Sequence, residues 1–244
     1  MTVNADLEPR ARMHAALGEP VRLAIIDQLR LGDGSPGDLA TAFGVATNLL
    51  AHHLGVLEGA GLVRRVRSEG DRRRTYVQLC LGDQVLGTLS GTPPVLQVTR
   101  VVFVCTHNAA RSQLAVAAWK RAHSVPAASA GTRPAARVHP RTVSTGRRHG
   151  LRLANARTAD VADVLRPDDL VVAVCDNAYE GLDAATVSRS LHWAVPDPVR
   201  IDTDAAFERT YRDIAERVEQ LTHAVTPVHN NPAALATPEL RSAP

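Results

Sequence analysis

The chain has 244 residues, of which 45% are hydrophobic, and this length allows one large domain or two small ones. Its three cysteines are sparse and odd in number, which argues against a disulfide scaffold and favours a reduced, cytoplasmic location. The formal charge of +3 does not by itself imply nucleic-acid binding, and no apolar run approaches the ~20 residues of a membrane span.

The first third of the chain carries the pattern of a helix-turn-helix. Met1 to Arg10 is too polar for a signal peptide, and Val21, Ile25 and Leu29 then recur at the spacing of a helix. Gly44 begins a tight turn between two further helices, which is helix-turn-helix spacing. The four predicted helices run from Arg10 to Leu17, from Pro20 to Leu31, from Pro36 to Phe43 and from Thr47 to Ala60.

An arginine-rich β-hairpin is predicted next, with strands from Leu62 to Arg67 and from Arg72 to Leu79. Such a charge cluster is often only a solvated face, but after a helix-turn-helix it favours a basic wing on the DNA phosphate backbone. If the helix from Thr47 is the recognition helix, its exposed side chains would face the major groove. The candidate DNA-binding residues are therefore Thr47, Asn48, His52, Arg72, Arg73 and Arg74.

The remainder of the chain is patterned differently. Gly82 to Gly91 is predicted as a short helix, and Thr92-Pro-Pro94 marks a linker. Strand and helix patterns then alternate, which predicts an α/β domain with a parallel sheet and flanking helices, before a tail without periodicity. The predicted strands are Val101 to Val104, Ala127 to Ala130, Leu170 to Cys175 and Leu191 to Val195, and the predicted helices are Ser112 to Trp119, Thr142 to His149 and Ala205 to Ala224.

Cys105 stands where a buried strand is followed by a helix N-terminus. The backbone N–H groups of the intervening loop have no helical partner and can bind an anion. Arg111 adds a fork of donors suited to a tetrahedral oxyanion, and with the helix end it would stabilise a thiolate. A merely buried cysteine would not explain Arg111 and the Ser that follows it. The predicted oxyanion-binding residues are Thr106, His107, Asn108, Ala109, Ala110, Arg111 and Ser112.

This loop, Cys105-Thr-His-Asn-Ala-Ala-Arg-Ser-Gln113, resembles the low-molecular-weight tyrosine phosphatase fold and, through Gln113, its arsenate reductase branch. The resemblance implies that Cys105 is the nucleophile, that Arg111 holds the oxyanion and that Asp197 is the general acid. Asp197 lies between two prolines, so the residues alone also allow a turn-forming role. Further similar segments are Ser129-Ala-Gly-Thr132, Val138-His-Pro140, Val174-Cys-Asp-Asn-Ala178 and His192-Trp-Ala-Val-Pro-Asp-Pro198.

The remaining thiols decide which reductant the resemblance implies. Thioredoxin-coupled arsenate reductases pass the oxidation along three cysteines, but here Leu182 stands at the third position. The anion loop also lacks a second cysteine, since Ala110 precedes Arg111. The chain is therefore more similar to reductases that use an external thiol, mycothiol, together with a redoxin. Cys175 remains either a resolving thiol or an inert residue, and no metal or bound cofactor is expected because metal-ligand spacing is lacking.

Four short segments of the first part of the chain belong together: Leu17-Gly-Glu-Pro-Val-Arg22, Asp38-Leu-Ala40, His53-Leu-Gly-Val-Leu57 and Ala60-Gly-Leu-Val63. In this order and spacing they resemble the ArsR/SmtB repressors, which implies a winged helix that binds operator DNA as a homodimer. Arsenite-sensing members use clustered cysteines, whereas Cys80 alone does not supply a three-thiolate site within one subunit. The resemblance therefore implies DNA binding but leaves the inducer open.

The expected organisation is a winged helix-turn-helix domain over residues 1–91, a linker over 92–99, an arsenate reductase domain over 100–225 and a disordered tail over 226–244. Two alternatives remain. One is a tyrosine phosphatase with the same loop, although that branch usually has Tyr after the Asp-Pro pair, where Val199-Arg200 stands here. The other is a regulator whose second domain binds an oxyanion without turning it over.

Overall fold

The computed structural model describes residues 7–80, 95–183 and 189–228. Within them the buried apolar side chains form two separate clusters. One includes Ile25, Leu39 and Leu54, and the other includes Phe103 and Trp119. The chain therefore folds around two cores, which confirms the predicted combination of a helical unit with an α/β unit.

Four helices build the first core, and local signals set their ends. Pro20 and Pro36 occupy first-turn positions, where a missing N–H costs no intrahelical bond. Ser35 accepts a hydrogen bond from the backbone N–H of Asp38, and Gly44, with a φ of 61°, ends the third helix in the left-handed region. The helices are α1 (Leu7–Leu17), α2 (Pro20–Leu29), α3 (Pro36–Phe43) and α4 (Thr47–Gly59).

An antiparallel hairpin completes this unit, with β1 at Val63–Arg67 and β2 at Thr75–Leu79. Val63 pairs with Leu79, and both side chains are buried against the helices, which fixes the register. The first unit is thus the winged helix-turn-helix that the sequence predicts. We call residues 68–74, which connect β1 to β2, the wing loop.

The second unit is built on a four-stranded parallel sheet with the order β5-β4-β6-β7. The central β4 is buried along its whole length and pairs with β5 and β6, as expected for a parallel sheet covered on both faces. The strands of this sheet are β4 (Val101–Cys105), β5 (Ala127–Gly131), β6 (Leu170–Ala173) and β7 (Arg189–His192).

Helices flank this sheet, and the longest has 21 residues. Trp119 and Trp193 both pack against Phe103, at ring-centroid distances of 6.1 and 5.8 Å. None of the helices in the described part of the chain is long and apolar enough to cross a membrane. The helices are α5 (Arg111–Ala122), α6 (Pro140–Arg148), α7 (Val161–Val164), α8 (Asp176–Gly181), α9 (Pro198–Ile201) and α10 (Asp204–Ala224).

Two expectations differ from the structure. Part of the predicted linker forms β3 (Leu96–Val98), which pairs in parallel with β8 (Val225–Pro227), so ordered structure also extends past residue 225. The last sheet strand runs over Arg189–His192 instead of Leu191 to Val195, because pairing with β6 selects the earlier residues and not the more apolar ones. The helix predicted from Gly82 to Gly91 lies outside the described residues.

The two units meet through a buried polar cluster around Asp33. One carboxylate oxygen of Asp33 accepts a hydrogen bond from Arg217 at 3.0 Å, and the other accepts from Gln78 and from the backbone N–H of Ala194, both at 2.7 Å. Trp193 donates its indole N–H to the carbonyl of Leu31. Because the Asp33 and Arg217 side chains are nearly inaccessible to water, these contacts fix the relative position of the units.

Candidate functional site

The loop that follows β4 has the geometry of an anion cradle. Four of its carbonyl groups accept hydrogen bonds from backbone N–H groups of the segment 132–139, at 2.8 to 3.1 Å. Gly131 permits this approach, because a Cβ there would lie 2.9 Å from the carbonyl oxygen of Thr106. With these carbonyls paired to residues 132–139, the loop N–H groups remain available to an anion, and that of Asn108 points at the Cys105 sulfur. The carbonyls belong to Cys105, Thr106, His107 and Ala109.

Asn108 holds the loop in shape from within. Its φ of 50° lies in the left-handed region, which Asn tolerates better than most residues. Its side-chain N–H donates to Ser112 at 2.8 Å, while its Oδ1 accepts from Gln113 and from the backbone of Ala159. The loop shape that the resemblance assigns to Asn108 therefore rests on a fully paired, buried side chain.

The Cys105 sulfur is surrounded by polar groups. The backbone N–H of Asn108 points at Sγ over 3.2 Å, and the hydroxyl of Ser112 lies 3.1 Å from it. Cys105 is only 2% exposed, but it borders a cavity of about 490 Å³. The other residues that border this cavity are His107, Ala109, Ala110, Arg111, Ala135, Arg137, His139, Pro140, Asp197 and Val199. A small oxyanion can therefore reach a sulfur whose anionic form is hydrogen-bonded.

Arg111 is buried beside this cavity and is paired with two carboxylates. Its Nη1 donates to the carbonyl of Val195 at 2.9 Å and lies 3.6 Å from Glu69, while its Nη2 lies 3.3 Å from Asp197. Burial disfavours the charged guanidinium, but Cys175, Cys105, Asp197 and Glu69 together outweigh it and raise the pKa of Arg111. Arg111 is thus a fixed positive charge at the cradle.

Asp197 has two separate environments, one for each oxygen. Its Oδ1 accepts from the backbone N–H of Val199 and so caps the short helix α9, which begins at Pro198. Its Oδ2 faces Arg111 at 3.3 Å, and the residue borders the same cavity as Cys105. Asp197 can therefore cap the turn with one oxygen and face the cavity as a general acid with the other.

Cys175 lies beside the loop but is not among the residues that border the cavity. Its sulfur is 3.5 Å from the hydroxyl of Thr106, and it is buried. Burial raises the pKa of the Cys175 thiol, although the charge of Arg111 acts in the opposite direction. Leu182, the position of the third cysteine in a relay, ends helix α8 as a half-buried residue. Among the described residues, no group of three or more His, Cys, Asp or Glu side chains is arranged to hold a metal.

The candidate DNA-binding residues lie on the exposed side of the first unit. Thr47, Asn48 and His52 are exposed on α4. The neighbouring His53 is instead buried and lies 3.4 Å from Glu19, so it joins α4 to α2. All three arginines of the wing loop, Arg72, Arg73 and Arg74, are exposed.

The tip of the wing loop contacts the second unit, which the sequence did not reveal. Glu180 accepts hydrogen bonds from Ser68, from Tyr76 and from the backbone N–H of Asp71, at 2.7 to 2.9 Å. Burial and the contact with Glu180 raise the pKa of Tyr76, so its hydroxyl is a donor at neutral pH. The backbone N–H of Glu69 donates to Asp176 at 2.6 Å.

Glu69 is the site residue that sequence reasoning missed. It lies in a different folding unit from Cys105, within a Ser-Glu-Gly-Asp segment that has the composition of any turn. Its carboxylate nevertheless reaches both Arg111 and the backbone N–H of Asp197. A contact formed only by the docking of two units leaves no local signal in the sequence.

Two parts of the chain match known protein families. Residues 100–231 match the low molecular weight phosphotyrosine protein phosphatase family, and residues 17–66 match a helix-turn-helix domain. The first match contains the cradle, Cys175 and Asp197, and the second contains the exposed residues of α4. The two matches therefore coincide with the two folding units.

Similar proteins have been named arsenate reductases. A putative arsenate reductase of Halobacterium salinarum is 32% identical over 130 residues, which cover 50% of this chain and 87% of that protein. Arsenate reductase 2 of Staphylococcus saprophyticus is 29% identical over 126 residues, which cover 49% and 93%. The crystal structure of an arsenate reductase from Archaeoglobus fulgidus is 33% identical, covers 50% of this chain and 98% of its own, and superposes with a TM-score of 0.44.

Proposed function

Because the chain belongs to the low molecular weight phosphotyrosine protein phosphatase family and also carries a helix-turn-helix domain, we propose that it joins arsenate reduction to DNA binding. The reductase would occupy residues 100–225 and the repressor domain residues 1–91. Both activities would be cytoplasmic. The Halobacterium and Staphylococcus relatives support arsenate as the substrate.

Arsenate would dock on the N–H groups of residues 106–112 and on the guanidinium of Arg111. The Cys105 thiolate then attacks arsenic, so that a sulfur–arsenic bond forms as an arsenic–oxygen bond breaks. Asp197 gives its proton to the departing oxygen, which leaves as water. Ser112 and the N–H of Asn108 hold the thiolate before attack.

An external thiol completes the proposed reaction. Mycothiol takes the arsenic from Cys105, which leaves as a free thiol. A redoxin thiol would then attack the mycothiol sulfur, so that a mixed disulfide forms, the sulfur–arsenic bond breaks, and arsenic(V) leaves as arsenite with the two electrons of that bond. This choice rests on Leu182 and Ala110, which replace the additional cysteines that a relay needs. Cys175 lies near the loop but faces Thr106, so Cys105 is sufficient on the protein side.

The observation that carries the proposal is the surroundings of the Cys105 sulfur, which has two polar neighbours and a cavity bordered by Arg111 and Asp197. The test is arsenite production by the purified protein, supplied with mycothiol and a redoxin or with thioredoxin. Production with the mycothiol system supports the whole proposal. Production with thioredoxin alone would retain the reductase but overturn the choice of reductant.

A phosphatase is the second candidate, because the same cradle would hold a phosphoryl group. The residue after Pro198 is Val199, whose exposed aliphatic side chain does not provide an aromatic wall for phosphotyrosine. Hydrolysis of an aryl phosphate without any arsenate reduction would favour this candidate. If neither reaction occurs, an oxyanion-binding regulator remains.

The DNA-binding half of the proposal rests on the exposure of Thr47, Asn48 and His52, together with Arg72, Arg73 and Arg74 of the wing loop. Recognition of operator DNA by this class needs two helices about 34–36 Å apart, which requires a homodimer. Sizing of the full-length protein at micromolar concentration, with and without duplex, tests this requirement. A monomer in both conditions would end the dimer proposal.

A further inference from the structure

The carboxylate of Glu69 contacts both the guanidinium of Arg111 and the backbone N–H of Asp197, although Glu69 belongs to the wing loop. Its Oε2 is 3.6 Å from Nη1 of Arg111 and 3.1 Å from the backbone N–H of Asp197. The Oε1 oxygen also faces that N–H, at 3.4 Å. One side chain of the DNA-binding unit therefore contacts both the guanidinium and the segment that carries the acid.

Hydrogen bonds to helix α8 hold the backbone around Glu69 in place. Its own N–H is bonded to Asp176, and the adjacent Ser68 and Asp71 are bonded to Glu180. Gly70 leaves room at this point for the carboxylate of Glu180, which a Cβ there would contact. The wing loop thus closes on helix α8 and directs Glu69 toward the cradle.

Arg111 has partners at both of its terminal nitrogens before any oxyanion arrives. Nη1 is shared by Val195 and Glu69, and Nη2 faces Asp197. A bidentate grip on arsenate or phosphate uses parallel N–H groups of the same guanidinium. An oxyanion that binds through Nη1 must therefore draw Arg111 away from Glu69, and any oxyanion at Arg111 also meets the negative charge of that carboxylate.

We propose that Glu69 is a positioning residue of the oxyanion site, supplied by the wing, which competes with the oxyanion for Arg111 and holds the Asp197 segment in place. This inference rests on the proposed function for the identity of the reaction but concerns the same cradle for any tetrahedral oxyanion. The site is then composite, since neither unit alone contains all of its charged groups.

The two contacts of Glu69 have separable effects. Its charge opposes binding of an oxyanion, so its removal strengthens binding by on the order of tenfold. Its acceptor oxygen fixes the N–H of Asp197, so loss of the oxygen lowers turnover by about threefold to tenfold. Glu69→Gln removes the charge and keeps an acceptor oxygen, whereas Glu69→Ala removes both.

The decisive measurement is calorimetric titration of the full-length protein with inorganic phosphate, which needs no turnover. We expect the Kd of Glu69→Gln to be about tenfold below that of the unaltered protein. Glu58→Gln is the matched control, because it removes the same charge from the same unit, where Glu58 pairs with Arg65. An unchanged or raised Kd in Glu69→Gln, or an equal decrease in Glu58→Gln, would overturn the inference.

Arsenate kinetics then separate positioning from simple structural support. Glu69→Gln should lower KM with little change in kcat, and Glu69→Ala should lower KM and also kcat. If both variants lose thermal stability and kcat in parallel while KM stays constant, Glu69 only supports the fold. If the unaltered protein produces no arsenite, the reductase proposal fails, and the phosphate titration still decides the role of Glu69.

Discussion

Two loops of this molecule offer arginine to tetrahedral anions, and they do so in opposite ways. In the anion cradle, residues 105–112, four carbonyls accept hydrogen bonds from the segment 132–139, and the Arg111 side chain is 5% exposed. In the wing loop, Arg73 is 91% exposed and its partner is Asp71 of the same loop. The first loop is preorganised around one point, whereas the second presents exposed charge to water.

This difference separates two kinds of anion recognition. Inside the cradle the low local dielectric strengthens each interaction, and fixed N–H groups favour one dehydrated ion of defined shape. At the surface, solvent and salt screen each arginine, so affinity comes from several phosphates and is insensitive to sequence. The wing loop is nevertheless tied to the cradle, because its tip is bonded to Glu180 and Glu69 reaches Arg111.

The largest expected effect tests whether the cradle has a single reactive centre. Cys105→Ser should abolish arsenate reduction, because serine has no sulfur to form the sulfur–arsenic bond on which the proposed reaction depends. Cys175→Ser is the matched control, and with mycothiol supplied it should retain at least part of the activity. Arsenite production measures both variants, and full activity in Cys105→Ser would remove Cys105 from the mechanism.

The next effect tests whether Asp197 acts on the oxyanion or only forms a turn. Asp197→Asn should lower kcat by about 10²- to 10⁴-fold, since a general acid contributes on that scale. Asparagine retains an oxygen that can cap α9 at Val199, so phosphate should still bind in a calorimetric titration. An unchanged kcat would leave Asp197 with the turn role alone.

These two residues also show how far sequence reasoning reaches. The order strand, loop and helix around Cys105 follows from adjacent residues, and so do the start of α3 at Pro36 and its end at Gly44. Such features are local, because capping and turn chemistry act within a few residues. The strand, the loop and the start of the helix around Cys105 could therefore be predicted from their own segment, whereas the pairing of the loop carbonyls with residues 132–139 could not.

The remaining features depend on contacts between distant segments. Leu96–Val98 is too short for its alternation of apolar and polar residues to mark a strand, and it becomes β3 only by pairing with Val225–Pro227. The hydrogen bond between Trp193 and Leu31 and the approach of Glu69 to Arg111 likewise need both units to be folded and docked. The strand within the predicted linker and the contact of Glu69 with Arg111 could not be predicted, because both depend on residues that are distant in the sequence.

A smaller expected effect concerns the buried ion pair of Asp33 and Arg217, which joins the two units. Arg217→Met should cost about 3–5 kcal/mol of folding stability, because the buried Asp33 carboxylate loses its charged partner. Urea unfolding of the full chain measures this loss. Arg212→Met, an exposed position on the same helix, provides the control and should stay within about 0.5 kcal/mol. Equal stabilities for the two variants would show that the Asp33 cluster does not hold the units together.

The smallest effect tests the solvated character of the wing loop. Replacement of Arg72, Arg73 and Arg74 by Ala should weaken binding to all duplexes by about tenfold to a hundredfold at physiological salt. The slope of log affinity against log salt should fall by about 0.9 for each lost phosphate contact. Asn48→Ala and His52→Ala, on α4, should instead change the preference among duplex sequences by about 1–3 kcal/mol per contact.

Fluorescence anisotropy over a salt series separates these two classes of variant, and Arg133→Ala, at an exposed arginine of the other unit, controls for net charge. An unchanged salt slope in the triple variant would remove the wing loop from DNA binding.

Because binding free energies are reciprocal, an oxyanion that draws Arg111 from Glu69 should also alter the DNA affinity of the unaltered wing. Titration of a duplex with arsenate, with arsenite and with neither measures this coupling. Identical DNA affinities in the three conditions would mean that the two loops share a contact but act independently.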